Sequence, residues 1–163
     1  MARDGVDRIL EQWARERPDL ETEAMGVVGR LYRVAKAAGD LATEAYARFG
    51  ITRADFDVLA TLRRAGAPYQ LSPSALTASL MLTSGGVTGR IDRLEKAGLV
   101  RRSPDPSDRR GQLVSLTDKG RELIDEAVGA GLATQDEFLS PLSPAKRRQL
   151  DSLLRQLLAG RQA

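Results

Sequence analysis

Apolar residues recur every three to four positions along most of the chain, which predicts a mainly helical protein. The predicted helices cover residues 4–16 and 22–48, a segment from the cap Thr52 to Gly66, one from Ser72-Pro73, one from Thr83 to Gly98, residues 118–138, and one from Ser143-Pro144. Two short alternating segments, residues 99–103 and 111–116, predict a β-hairpin between the fifth and sixth helices.

Two short helices joined by a tight turn and followed at once by a hairpin are the order of a winged helix-turn-helix. In that arrangement the second helix enters the major groove of DNA and the hairpin lies against the backbone or minor groove. Here the second helix buries Val87, Ile91 and Leu94 on one face. Its candidate DNA contacts are Ser84, Gly85, Thr88, Gly89, Arg93 and Lys96. The predicted fold class is mainly α with a small β-hairpin wing.

Three glycines lie in the first two turns of this helix, at positions 85, 86 and 89. Each costs roughly 1 kcal/mol of helix stability relative to alanine. Two interpretations stay open. The glycines allow a close approach of the backbone to another surface, such as a groove floor, or they mark a poorly formed turn.

The stretch SPDPSDRRGQLVSL places Asp108, Arg109 and Arg110 at the predicted tip of the hairpin. An arginine there can enter the narrow, negative minor groove of A·T-rich DNA, where its weakly hydrated guanidinium is favoured over lysine. Asp108 can pair with Arg110 and hold it extended. The alternative is a solvated turn with a local ion pair that contributes under about 1 kcal/mol.

The composition of the chain excludes several classes of protein function. A chain of 163 residues without cysteine or histidine has no disulfide, no zinc site of the usual kinds and no nucleophile–histidine catalysis. We therefore expect neither an enzyme nor a cofactor. The formal charge of +3 favours polyanions only weakly. No apolar run of 18 residues exists and the start does not resemble a secretory signal, so we expect a cytoplasmic protein without a membrane partner.

The stretch LTSGGVTGRIDRLEKAGLVRRSPDPSDRRGQLVSLTDKG resembles the MarR family of bacterial transcription regulators. The matching elements are the RLEKAGLV helix end, the D-x-R wing and the V-x-L-T-x-x-G exit from the wing. The resemblance implies a homodimer with interleaved terminal helices on a palindromic DNA operator, with Arg110 in the minor groove and Asp108 as its support. The predicted organisation is an extra N-terminal helix and a dimerisation or scaffold helix in residues 1–50, a winged helix-turn-helix DNA-binding region in 51–117 and C-terminal dimerisation helices in 118–163, all in one structural domain.

A narrower resemblance is to the urate-responsive branch of that family, which has an additional N-terminal helix. It is carried by EQWARERPDL, FDVLATLRR and GGVTGR. It implies that Trp13, Asp57, Arg64 and Arg90 surround or gate a small anionic ligand, with Arg102 as a weaker candidate. An arginine-lined cavity suits a planar or carboxylate anion. The alternatives are a solvated helix face for Asp57 and Arg64, and a packing role for Trp13.

The sequence thus favours a ligand-responsive repressor that a small anion, urate or a related compound, releases from its operator. Three alternatives stay open. One is a MarR-type regulator of a phenolic or drug-like ligand. A second is a non-specific architectural nucleic-acid binder, whose affinity would change little with operator sequence. The third is an enzyme, for which the sequence supplies neither an activated nucleophile nor a metal site.

Overall fold

The computed structural model describes residues 3–80 and 87–160, with the backbone alone at positions 109 and 110. The helices in these residues are α1 (Gly5–Glu16), α2 (Glu23–Ala47), α3 (Arg53–Arg64), α4 (Pro73–Ser79), α5 (Val87–Lys96), α6 (Asp118–Phe138) and α7 (Pro144–Ala159). The strands are β1 (Gln70–Leu71), β2 (Val100–Asp105) and β3 (Asp108–Leu116). The predicted cap Thr83 lies outside the described residues.

The chain forms two compact units, Met1–Leu41 and Ala42–Ala163. The predicted organisation into residues 1–50, 51–117 and 118–163 stays a prediction. None of the helices in the described ranges is long and apolar enough to span a membrane.

In the first unit, α1 is held on α2 by apolar packing and by ion pairs. Val6 is buried against Gly29, whose missing side chain leaves room for it. Asp4 caps α1, and Arg30 of α2 donates to both Asp4, at 2.9 Å, and Asp7, at 2.5 Å. Because these carboxylates belong to the first turn of α1, the arginine fixes that end of the helix.

The second unit has a continuous aliphatic core built around α3. Its largest fully buried side chains are Leu59, Leu62, Leu76, Ile91, Leu94 and Ile124. Tyr46, near the end of α2, stacks on Phe56 with ring centroids 3.9 Å apart. With only 4 % aromatic residues in the chain, aliphatic side chains from α3, α4, α5 and α6 fill the space.

Four of the helix starts that the sequence predicted, at Thr52, Ser72, Thr117 and Ser143, are confirmed. Thr52 and Asp55 form a reciprocal capping box, and the Ser72, Thr117 and Ser143 hydroxyls each accept a hydrogen bond from the backbone three residues on. These short polar side chains satisfy backbone donors that the first turn leaves unpaired. Helix α5 is followed by Gly98, which has a φ of 70° that other residues rarely adopt.

The sheet is antiparallel with strand order β1-β3-β2. The hairpin of β2 and β3 is the predicted wing, and it extends further than the sequence indicated. Strand β1 was not predicted, because two residues are too few to show an alternating pattern. It pairs Gln70 with Ser115 and Leu71 with Val114, which joins the α3–α4 connection to the base of the wing.

The predicted position of the two arginines at the hairpin tip is wrong. The turn is Pro106-Ser107, and the Asp105 carboxylate closes it by accepting hydrogen bonds from the Ser107 amide, at 2.8 Å, and hydroxyl, at 2.6 Å. Arg109 and Arg110 follow in β3. The register changes from Asp105↔Asp108 to Pro104↔Gln112, so residues 109–111 have no partner on β2. The arginines therefore lie in a bulge beside the tip.

Candidate nucleic-acid interface and anion site

Helix α5 presents the two faces that the sequence predicted. Val87, Ile91 and Leu94 are at most 6 % exposed and pack into the core. Thr88 and Lys96 lie on the opposite, exposed face. Two other candidates, Ser84 and Gly85, lie outside the described residues.

Gly89 is on the exposed face of α5. A Cβ built on it would meet no described atom within 4 Å, and its φ is not positive. Neither packing against the described residues nor backbone conformation therefore requires a glycine here. The exposed backbone at this point is available to an external surface, which favours the close-approach interpretation.

Arg93 is also exposed, but a carboxylate from another helix holds its guanidinium. Its Nη2 and Nε donate to Oδ1 of Asp55 at 2.8 and 3.2 Å. Asp55 is only 4 % exposed and also accepts from the Thr52 amide and hydroxyl. Burial raises the pKa of Asp55, but the hydrogen bonds from Arg93 and Thr52 outweigh it and hold the pKa below the ordinary value.

Arg102, the weaker ligand candidate, is engaged by acidic residues of α5. Its guanidinium binds the carboxylates of Asp92 and Glu95, and its backbone amide donates to Glu95 at 3.0 Å. The hydrogen bond from Arg102 to Asp92 is the main cause that raises the pKa of this guanidinium. A ligand would have to displace two carboxylates to reach it.

The positive charges of Arg64 and Arg90 both act on the Asp57 carboxylate. All three were predicted from the sequence as ligand residues. Burial raises the pKa of Asp57, and the positive charges of Arg53, Arg90 and Arg64 oppose that effect without cancelling it. Asp57 is thus a half-buried carboxylate that is influenced by three arginines, and strongly perturbed groups of this kind are candidates for a functional site.

This cluster also contains polar atoms that are buried without a hydrogen-bond partner. Among the described side chains they are Asp57 Oδ2, Arg90 Nη1 and Thr61 Oγ1. Unpaired buried polar atoms are rare because each costs about 1–3 kcal/mol. Here they lie on α3 and on α5, and two of them belong to the charged residues described above. We call Asp57, Thr61 and Arg90 the orphan cluster.

Thr61 was missed by the sequence analysis. It lies one helical turn after Asp57, so the two side chains share a face of α3. A threonine inside a helix usually bonds the carbonyl four residues earlier, yet Thr61 makes no such bond and is 2 % exposed. The polar spacing 57, 61, 64 on α3 was the available signal.

The orphan cluster does not include the other two ligand candidates. Arg64 is exposed, and its Nη2 donates to the Ser79 carbonyl at the end of α4, at 2.7 Å. Trp13 belongs to the first unit, where its side chain is 39 % exposed. The described residues include no group of three or more acidic side chains placed to hold a metal ion.

A helix pair with one bare, glycine-containing face, followed by a bulged hairpin, defines a DNA-binding protein of the winged helix-turn-helix class. A sequence model of the MarR family matches residues 49–111. The regulator PecS of Dickeya dadantii is 41 % identical over 149 residues, covering 91 % of this chain and 90 % of that protein. The chain therefore belongs to the MarR family, whose members are DNA-binding transcription regulators and not enzymes.

Solved structures of relatives support the assignment to this family. A mutant MarR from E. coli, complexed with operator DNA, matches with a TM-score of 0.73 and 29 % identity over 84 % of this chain and 96 % of that chain. BpsR of Bordetella bronchiseptica matches with a TM-score of 0.69 and 30 % identity, over 80 % of this chain and 97 % of that chain. In BpsR, 6-hydroxynicotinic acid regulates DNA binding.

Replacing Asp57 by Asn should stabilise the protein at neutral pH. Because the pKa of Asp57 is higher in the folded than in the unfolded state, wild type loses stability as pH rises through the folded pKa. The neutral variant lacks this loss. The melting temperature of Asp57→Asn relative to wild type should therefore increase between about pH 4 and pH 7.

Asp55→Asn is the matched control, and its expected effect on stability at pH 7 is opposite. The pKa of the wild-type Asp55 carboxyl is lowered in the folded state, so the ionised form stabilises the fold above the unfolded pKa. That contribution is lost as pH falls. This variant should be less stable than wild type at pH 7. If both variants shift in the same direction at pH 7, the assigned environments are wrong.

Proposed function

We propose that the protein is a homodimeric repressor that binds a palindromic operator and is released by a small anion. In this proposal α5 reads the major groove through Thr88, Gly89 and neighbouring residues, and the wing reaches the minor groove through Arg110. The anion binds at the orphan cluster.

The exposed face of α5 carries the DNA part of the proposal. A glycine that its own fold does not require costs helix stability, and a backbone that must approach a groove floor explains why it is there. Lys96 at the end of the same face can contact a phosphate. The relative in complex with operator DNA supports this use of the fold.

Exposed apolar surface supports the homodimer. Helix α7 has no buried residue, and four of its leucines are 37–64 % exposed: Leu153, Leu154, Leu157 and Leu158. In the first unit, Ile9, Met25, Leu31 and Tyr32 are also at least 36 % exposed. Exposed apolar surface of this kind is typical of a protein–protein interface. A second copy is the occupant that also supplies the two-fold symmetry of a palindrome.

The orphan cluster supports an anionic effector. A guanidinium can bind a carboxylate or a planar anion at two points, and a ligand would give partners to the atoms that now lack them. A ligand role for Trp13, and urate as the ligand, are what the resemblance to the urate-responsive branch implies. Urate is therefore the first compound to test.

The protein should be a dimer at micromolar concentration. Burial of the α7 leucines should provide much of the interface, since apolar burial contributes about 25 cal/mol per Å². Leu157→Glu with Leu158→Glu should shift the mass measured by multi-angle light scattering towards the monomer. Glu122→Lys, an exposed change on α6, should leave the mass unchanged. A monomeric wild type would contradict the proposal.

Replacing Arg110 by Ala should weaken operator binding by about 1–3 kcal/mol. The salt dependence should flatten by roughly one counterion, since one phosphate-region contact is lost. Binding is measured by fluorescence anisotropy at several salt concentrations. Arg121→Ala, which removes the same charge from α6, is the control and should have the smaller effect; an equal loss in both variants would contradict a specific wing contact.

Urate should release wild-type protein from its operator. Arg90→Ala, Thr61→Val and Trp13→Ala should keep the dimer and lose or weaken this response, which a titration of the protein–DNA complex measures. Thr61→Val is the most specific test of the site, because it removes one hydroxyl group and nearly keeps the side-chain volume.

Arg63→Ala is the control, since Arg63 lies beside Arg64 on α3 but binds Asp125 at 2.7 Å. It should respond like wild type. Equal release of all variants would reject the site. Release by a phenolic anion but not by urate would keep the regulator and reject the ligand.

A further inference from the structure

In the described residues, α5 (Val87–Lys96) contributes three buried apolar side chains. Apolar burial is not directional, so this stripe alone does not determine how the helix is rotated about its axis. Hydrogen-bonded ion pairs are directional, and α5 has them on two sides.

On the α3 side the pair is Arg93 with Asp55. Both Nε and Nη2 of the arginine reach one carboxylate oxygen, and the other oxygen is held by Thr52. The carboxylate is buried and part of a capping box, so it cannot follow a moving arginine. The pair therefore ties α5 to the first turn of α3.

On the wing side the partner is Arg102 of β2. It binds Asp92 and Glu95, which are three residues apart on α5, and its side chain is 23 % exposed. Positions 92, 93 and 95 fall within one helical turn but point in different directions. A rotation of α5 in either sense would break one of the two sets of bonds.

We propose that these two sets of ion pairs, Asp55 with Arg93 and Arg102 with Asp92 and Glu95, orient the recognition helix and lock the wing to it for operator binding. We call them the α5 clamp. Its members are positioning residues, and the inference rests on the proposed function. It also changes the expected role of Arg93 from reading a base to holding the helix.

The acidic members of the clamp provide its strongest argument. Asp92 is half-exposed on a helix that faces a polyanion, where a carboxylate by itself opposes binding. Its position is understandable if the orientation it gives to α5 outweighs that repulsion. The two effects predict opposite results when the negative charges are removed.

The test is the double variant Asp92→Asn with Glu95→Gln, which keeps size and removes two charges. Its affinity is compared for a duplex that wild type selects from a random-sequence library and for a random duplex. We expect operator affinity to fall at least about tenfold, 1.4 kcal/mol, while affinity for the random duplex stays or rises. Higher affinity for both duplexes would overturn the clamp.

Asp55→Asn separates the two roles of Arg93. A base-reading Arg93 would be freed by this change and would bind the operator as well as before or better. A positioning Arg93 would lose its anchor, and the preference for the operator over the random duplex would fall. If Asp55→Asn unfolds, the double variant still decides, because both of its side chains lie at the surface.

Glu122→Gln with Glu126→Gln is the matched control, since it removes two exposed charges from α6. It should change both affinities by the same factor. Asp92→Glu, which keeps the negative charge, should retain more of the operator preference than the neutral double variant does. If wild-type protein selects no sequence from the library, the proposed function itself is wrong. If wild type is selective and both Asp55→Asn and the Asp92→Asn, Glu95→Gln double variant keep that preference, only the clamp is wrong.

Discussion

A recognition helix must leave one face bare for DNA, so its position depends on what holds its other faces. In this protein a buried stripe of three residues holds α5 against the core, and carboxylate–guanidinium pairs hold it at the sides. The pair of Asp55 and Arg93 is central because the same carboxylate also starts α3. One side chain thus sets the beginning of one helix and anchors another.

Features that depend on neighbouring residues were predictable from the sequence. The caps at Thr52, Ser72, Thr117 and Ser143, and the apolar face of α5, follow from spacing within a single helix. The hairpin was predictable, but its tip was not. The Asp105 side chain forms a turn with Ser107, so two residues suffice and the strand continues through the arginines.

The charged pairs of the site could be predicted only in part. Asp57, Arg64 and Arg90 were proposed together from a resemblance, and the charges of both arginines act on Asp57. The bond between Asp55 and Arg93 joins residues 38 positions apart, and no local pattern marks it. The same holds for β1, which exists because β3 offers it a free edge. Contacts between distant segments depend on the packed fold.

Helix α3 connects the two proposed sites. It carries Asp55, which anchors α5 through Arg93, and two residues later Asp57, whose charge is felt by Arg90 of α5. The pair of Asp55 and Arg93 is made, whereas Asp57 and Arg90 each keep a buried polar atom without a hydrogen-bond partner. In the proposed mechanism, an anion at Arg90 would act on the same helix that Arg93 anchors one turn away. If the anion weakens operator binding, linkage requires that operator DNA weakens binding of the anion by the same factor.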